Sequence, residues 1–238
     1  MGMGVLPPTP VCCVVGPALL AALAVVVLPR RLGVCAPRLL HARTHGADGS
    51  WSDPEVWTNA AFLVPAVVAV ALAPRRPQSW VLGATLVALS LASGYFHRVQ
   101  HGPGGGVGLL ADRLGMALVI AAVGASLSDA VWPRSYAAAF AVLFLLLAAG
   151  ALDCHWGPGW LWAAVRTAFV VAVVLWWFTT PPVQFDGWIL GTILLAVAAD
   201  ALALLVPTRL ILGMSGHAWK HVVYAAALSL FAVWAARH

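Results

Sequence analysis

The chain has 238 residues, of which 62% are hydrophobic and only 9% are charged, and its mean hydropathy is +0.93. This composition excludes a soluble globular protein, because so few polar residues cannot cover the water-exposed surface of a fold of this size. The formal net charge of +5 comes from twelve Arg and one Lys that lie mostly between apolar runs, which is typical of membrane topology signals and not of a nucleic-acid interface.

The first 50 residues contain one apolar run followed by a polar segment. The run covers residues 11–28 and lacks the basic start and the cleavage pattern of a secretory signal. We therefore predict an extra N-terminal helix in residues 1–50. The polar segment contains His41 and His45, whose ordinary interpretation is solvated loop histidines.

Seven further apolar runs predict seven helices that are each long enough to cross the hydrocarbon layer. Proline and glycine punctuation separates them. The predicted helices cover residues 55–73, 79–98, 108–131, 135–152, 159–178, 186–206 and 216–236. The predicted fold is all-α and polytopic: a seven-transmembrane-helix bundle in residues 51–238, preceded by the extra helix.

Several polar side chains share one depth in this predicted bundle. Side A is the membrane face at which the first of the seven helices begins, and side B is the opposite face. The second helix ends at side A with Ser93 and His97, and the third begins there with Asp112. The last helix begins at side A with His217 and His221. Because these helix ends are far apart in sequence, their shared depth predicts a functional site.

The residue types at this site are those of a metal centre. The i,i+4 spacing of His217 and His221 puts both imidazoles on one helical face. With His97 they make the three-histidine set of a common catalytic zinc site, which keeps an open position for water. Asp112 is then the candidate proton acceptor, and Ser93 is the candidate hydrogen-bond donor to a developing oxyanion.

Each of these residues also has a structural interpretation. The His-x-x-x-His spacing occurs three times in the chain, so the spacing alone is a weak signal. His217 and His221 could be helix-terminal residues bonded to neighbours, and Asp112 could be a helix N-terminal charge. Ser93 could be a small packing residue. His101 is the alternative third ligand.

Three segments taken together resemble a known family. They are Leu91-Ala-Ser-Gly-Tyr-Phe-His97, Ala111-Asp-Arg-Leu-Gly-Met116 and Met214-Ser-Gly-His-Ala-Trp-Lys-His221. In this order they are similar to the three core motifs of the alkaline ceramidases and their bacterial relatives. That family belongs to a wider superfamily of seven-helix membrane hydrolases that includes the adiponectin and progestin receptors. The resemblance covers roughly residues 51–236.

The resemblance implies a zinc-dependent membrane enzyme. It implies that His97, His217 and His221 bind zinc. It also implies that Asp112 positions or deprotonates the attacking water and that Ser93 assists the oxyanion. The implied reaction cleaves the amide bond of ceramide, or of a related N-acyl lipid, to a sphingoid base and a fatty acid. The residues themselves do not decide whether the bond that is cleaved is an amide or an ester. They also leave the oligomeric state open.

The calcium site of that family is less well matched. Residues 52–59 resemble its first-helix motif, but the acidic N-terminal cluster that binds calcium in eukaryotic members is not recognisable. Asp53, Glu55 and Asn59 are therefore only weak calcium candidates.

The main alternative function is a non-enzymatic, zinc-containing seven-helix receptor or lipid-binding protein, or the same fold with a purely structural metal. A transporter is disfavoured, because the polar groups cluster at side A instead of spanning the membrane. Arg166 and Asp200 lie at a similar predicted depth and are expected to pair. The excess of basic residues near side A favours a cytoplasmic side A. The bias towards Ala, Leu, Val, Gly and Arg is typical of a GC-rich bacterial genome, which predicts a plasma-membrane location.

Overall fold

The structure is a computed structural model that describes residues 52–100, 104–131, 187–206 and 211–238. These ranges are mostly helical and contain no strand, in agreement with the all-α prediction. Four helical segments in them are long and apolar enough to cross a membrane. The predicted helices over residues 11–28, 135–152 and 159–178 lie outside the described residues, so the count of seven stays a prediction.

The first spanning segment, Pro54–Leu72, is not one regular helix. It consists of α1 (Pro54–Trp57), a 3-10 helix (Thr58–Phe62) and α2 (Leu63–Leu72). Asp53 caps α1, because its Oδ1 accepts a hydrogen bond from the Glu55 N–H at 2.8 Å. The 3-10 turn was not predicted. The Thr58 hydroxyl donates to the Pro54 carbonyl and Asn59 Nδ2 donates to the Glu55 carbonyl, and such side-chain bonds compete with regular helix geometry.

The next two spans form a helical hairpin of α3 (Pro77–Val99) and α4 (Gly105–Val131). Two glycines of α4 allow the close approach of its partner. A Cβ at Gly108 would lie 3.0 Å from Phe96 Cα, and a Cβ at Gly115 would lie 3.0 Å from Leu89 Cα. Small residues at such contacts are typical of membrane helix pairs. The hairpin brings the end of α3 and the start of α4 together at side A.

The last two described helices, α5 (Gly187–Leu205) and α6 (Gly216–Arg237), form a second hairpin. A tight turn with Leu212 and Gly213 at positive φ precedes α6. Ser215 caps α6 by accepting a hydrogen bond from the Ala218 N–H at 3.1 Å. Gly216 donates its N–H to the Val206 carbonyl at 2.8 Å. The start of α6 is therefore fixed against the end of α5.

The helices pack around one apolar core and expose apolar side chains outward. The core joins the 3-10 helix and helices α2–α6 through residues that include Phe62, Ala66, Leu86, Val119, Ile189 and Phe231. On the outside, Val67 is 67% exposed and Leu91 is 69% exposed. An outer surface of this kind suits lipid as the surrounding solvent. Together with the four spanning segments, it identifies a membrane protein.

Candidate metal centre

Three histidines from two distant parts of the chain meet at side A. His97 lies in the last turn of α3, whereas His217 and His221 lie in the first turns of α6. All three are buried, and their ring centroids are 4.9–5.2 Å apart. One ring nitrogen of each lies within 4.8 Å of those of the other two. Among the described residues, this is the group of His, Cys, Asp or Glu side chains that could hold a metal ion.

The spacing of the ring nitrogens fits a metal ion. His97 Nε2 and His217 Nε2 are 3.3 Å apart. Two nitrogens that each lie about 2.0–2.1 Å from a tetrahedral ion are separated by about 3.3–3.4 Å. Imidazole nitrogens suit first-row transition metals, whereas calcium and magnesium prefer oxygen ligands. The three histidines therefore form a candidate transition-metal site.

A threonine orients the ring of His221. His221 Nδ1 lies 3.0 Å from Thr58 Oγ1. The hydroxyl hydrogen of Thr58 is donated to the Pro54 carbonyl, so the Thr58 oxygen accepts from the Nδ1–H of His221. This arrangement leaves the lone pair of the ring on Nε2. A polar partner that fixes the tautomer in this way is a regular feature of metal-bound histidines.

A carboxylate performs the corresponding role beside His97. Glu55 Oε2 lies 3.6 Å from His97 Nδ1, which is longer than a hydrogen bond but close enough for electrostatic attraction. Glu55 Oε1 accepts a hydrogen bond from the Ser215 hydroxyl at 2.9 Å. The proton of His97 is thereby favoured on Nδ1, so that Nε2 carries the lone pair. The same carboxylate joins α1 to the residue that caps α6.

The predicted acid and serine also meet. The Ser93 side chain hydrogen-bonds the Asp112 carboxylate, and both residues are buried. Ser93 precedes His97 by four residues on α3, so the Ser93–Asp112 pair lies about one helical turn from the metal centre. Lys220 and Arg113 are close enough to interact electrostatically with Asp112. All five residues predicted from the main pattern are thus brought to one region of the fold.

The three weak calcium candidates have protein partners. Asp53 caps α1, and Glu55 contacts His97 and Ser215. The Asn59 amide donates to the carbonyls of Glu55 and Val56. These contacts account for both carboxylates and for the Asn59 amide nitrogen, whereas Asn59 Oδ1 is buried without a hydrogen-bond partner in the described part of the chain, so calcium binding stays a prediction.

Thr58, Ser215 and Lys220 are site residues that the sequence analysis did not identify. Two weak signals were present: Ser215 directly precedes the Gly-His start of a helix, as an N-cap does, and Lys220 is the only lysine in the chain. Thr58 had no signal of its own. Asp200, which was expected to pair with Arg166, contacts Lys220. The structure does not describe Arg166, nor the alternative ligand His101.

The chain matches no protein-family model, no curated protein and no solved structure. The site is therefore defined by its own geometry: three converging imidazoles, outer partners beside His97 and His221, and an adjacent Ser–Asp pair.

Proposed function

We propose that the chain is a zinc-dependent membrane hydrolase that cleaves the amide bond of ceramide or of a related N-acyl lipid. The observation that carries this proposal is the Ser93–Asp112 pair one turn from three converging histidines. A metal held only for structure needs no such neighbouring acid. Three histidines with an open position are a common catalytic zinc set, and the ordered motif resemblance to the alkaline ceramidases supports the same reaction.

His97, His217 and His221 would hold the zinc ion. When bound, zinc would supply a Lewis acid for the amide carbonyl and lower the pKa of water to near neutrality. Glu55 and Thr58 serve this function indirectly, because they keep a lone pair of His97 and His221 on Nε2.

Asp112 is the proposed general base and general acid. It accepts a proton from the attacking water as the new C–O bond forms at the amide carbon. It then returns that proton to the nitrogen as the C–N bond breaks, which releases an amine and a fatty acid. The Ser93 hydroxyl hydrogen-bonds this carboxylate and can rotate to donate to the oxyanion that develops on the carbonyl oxygen.

A position within the membrane suits this chemistry, because the substrate is itself a lipid. Leu91 and Tyr95 are exposed on the outer side of α3, at the same level as Ser93 and His97. This apolar outer surface would contact the acyl chains of the bilayer. The composition of the chain supports the plasma membrane of a bacterium as the location.

The test is hydrolysis by the detergent-purified, zinc-loaded protein. Release of fatty acid from ceramide and from a series of N-acyl lipids would be measured for wild type, His97→Ala and Asp112→Asn. We expect turnover by wild type alone, with zinc retained in Asp112→Asn and lost in His97→Ala. Undiminished turnover in Asp112→Asn would overturn the role of the acid.

The deep burial of all three histidines also suits a metal that only holds α3 against α6, as in a seven-helix receptor or lipid-binding protein. Stoichiometric zinc without turnover of any lipid in the series would favour this second function over the hydrolase.

A further inference from the structure

Lys220 lies beside the metal ligands on α6. His217, Lys220, His221 and Tyr224 follow one another at spacings that place them on one face of the helix. The chain has no other lysine, whereas it has twelve arginines. A compact ammonium group therefore stands next to the centre, at a helical position that adjoins both α6 histidines.

This ammonium belongs to a polar cluster between α5 and α6. Lys220 Nζ lies 3.0 Å from Asp200 Oδ1, and the Tyr224 hydroxyl donates to Asp200 Oδ2 at 2.9 Å. The two charged side chains are partly exposed, 19% for Lys220 and 37% for Asp200. Charges in membrane-spanning helices are costly against hydrocarbon and face polar space. The three side chains therefore form a polar patch on the α5 side of the metal centre.

The charges around the centre differ from side to side. Glu55 approaches it from α1 and Asp112 from α4, and both are carboxylates. Lys220 approaches from the side of α5, close enough to interact electrostatically with Asp112 and His221. A negative group on a bound substrate would be repelled by Glu55 and Asp112, whereas Lys220 offers it N–H donors, although Asp200 already balances part of the Lys220 charge. The site can thus orient a lipid by one acidic group.

We propose that Lys220 is a specificity residue that binds a carboxylate in the head group of the lipid substrate. This inference rests on the proposed function and names its substrate class: N-acyl lipids with an acidic head group, such as N-acyl amino acids. An ammonium group has three N–H donors, so Lys220 can contact Asp200 and a substrate carboxylate together. Asp200 and Tyr224 hold the ammonium in place before the lipid binds.

The test uses two lipids with the same acyl chain and the same amide bond. N-palmitoylglycine carries a carboxylate where N-palmitoylethanolamine carries an uncharged hydroxymethyl group. kcat/KM is measured for both lipids with four zinc-loaded proteins: wild type, Lys220→Met, Lys220→Arg and a double variant. The double variant combines Lys220→Met with Asp200→Asn and so removes both charges. Binding of both lipids to metal-depleted wild type and to each metal-depleted variant is followed by the shift in thermal unfolding temperature. Arg75→Met, at side B, is the control for loss of one positive charge.

We expect wild type to prefer N-palmitoylglycine by about tenfold or more, as for a hydrogen bond to a charged group. Lys220→Met and the double variant should lose that preference, whereas Lys220→Arg and Arg75→Met should keep it. The double variant leaves no unpaired Asp200 carboxylate, so it remains informative if Lys220→Met does not fold. A merely structural ion pair would lower kcat/KM for both lipids by the same factor.

The outcomes separate this inference from the proposed function. Hydrolysis of both lipids with equal kcat/KM would overturn the role of Lys220 and leave the hydrolase standing. Binding of N-palmitoylglycine that depends on Lys220, without hydrolysis of either lipid or of ceramide, would support the carboxylate site and overturn the hydrolase. If the protein neither binds N-palmitoylglycine preferentially nor hydrolyses these lipids or ceramide, both the Lys220 site and the hydrolase are overturned.

Discussion

His97 Nε2 and His217 Nε2 lie 3.3 Å apart, although 120 residues separate them in the chain. Two buried imidazoles at this distance match two ligands of one tetrahedral ion. The first prediction follows from this pair: purified protein contains about one zinc per chain. His97→Ala, His217→Ala and His221→Ala should each lose it, because two remaining ligands bind weakly. Elemental analysis after purification without chelator measures this, and equal zinc in all four proteins would contradict it.

Removing the metal should also destabilise the fold, because an ion bound only by the native state adds binding free energy to stability. We expect a chelator to lower the thermal unfolding temperature of wild type in detergent. The same chelator should leave the unfolding temperature of a folded His221→Ala protein unchanged. Identical shifts in the two proteins would show that the chelator acts elsewhere.

The outer partners of the histidines should tune metal affinity. Thr58→Val removes the acceptor for His221 Nδ1–H and keeps the side-chain shape, so we expect metal affinity to fall by about 10–100-fold. Thr85→Val is the matched control, because the Thr85 hydroxyl is also buried but bonds only locally to the Leu82 carbonyl. Competition with a chromogenic chelator gives both affinities. Equal losses would mean that the effect is one of packing and not of the ring orientation.

Glu55→Gln should weaken the metal site through His97. The amide keeps an acceptor for the Ser215 hydroxyl but removes the negative charge beside His97 Nδ1. We expect a loss of zinc affinity of about 10-fold or more, with the protein still folded. Unchanged affinity would show that the 3.6 Å contact with His97 has no effect on the ligand.

Gly216 should tolerate no side chain. A Cβ at this position would lie 2.1 Å from the Leu202 carbonyl oxygen and 2.3 Å from that of Val206, and both atoms belong to the backbone. Gly216→Ala must therefore push α6 away from α5, at a cost of about 3 kcal/mol or more. Gly187→Ala is the control, since a Cβ there meets no atom within 4 Å. Thermal unfolding in detergent compares the two, and equal stability would show that the contact gives way easily.

The helices and the chemical candidates could be predicted from the sequence. Long apolar runs bounded by proline and glycine predicted helices over residues 79–98 and 216–236. The corresponding helices in the structure are Pro77–Val99 and Gly216–Arg237. The i,i+4 spacing placed His217 and His221 on one face, because helical periodicity is a property of the local chain. Successive helices cross the bilayer in opposite directions, and this alternation placed His97 and Asp112 at the same predicted depth.

Depth alone does not say which atoms meet. The distance between His97 and His217 depends on how α3 and α6 pack, and no local pattern encodes that packing. The inward placement of Thr58 requires the 3-10 turn of the first span, which side-chain hydrogen bonds to backbone carbonyls favour over the regular helix that the apolar run predicts.

Glu55 also shows the difference between what the sequence predicts and what the tertiary structure decides. Its acidic side chain was noted in the sequence as a weak calcium candidate, but its contacts with His97 and Ser215 join three separate helical elements. The sequence by itself determined a helical membrane protein, the approximate ends of most described helices and the candidate ligands, because hydrophobicity and periodicity act over neighbouring residues. Only the tertiary structure decided the partners of those ligands, because close packing between helices, including the backbone contact at Gly216, sets which side chains touch.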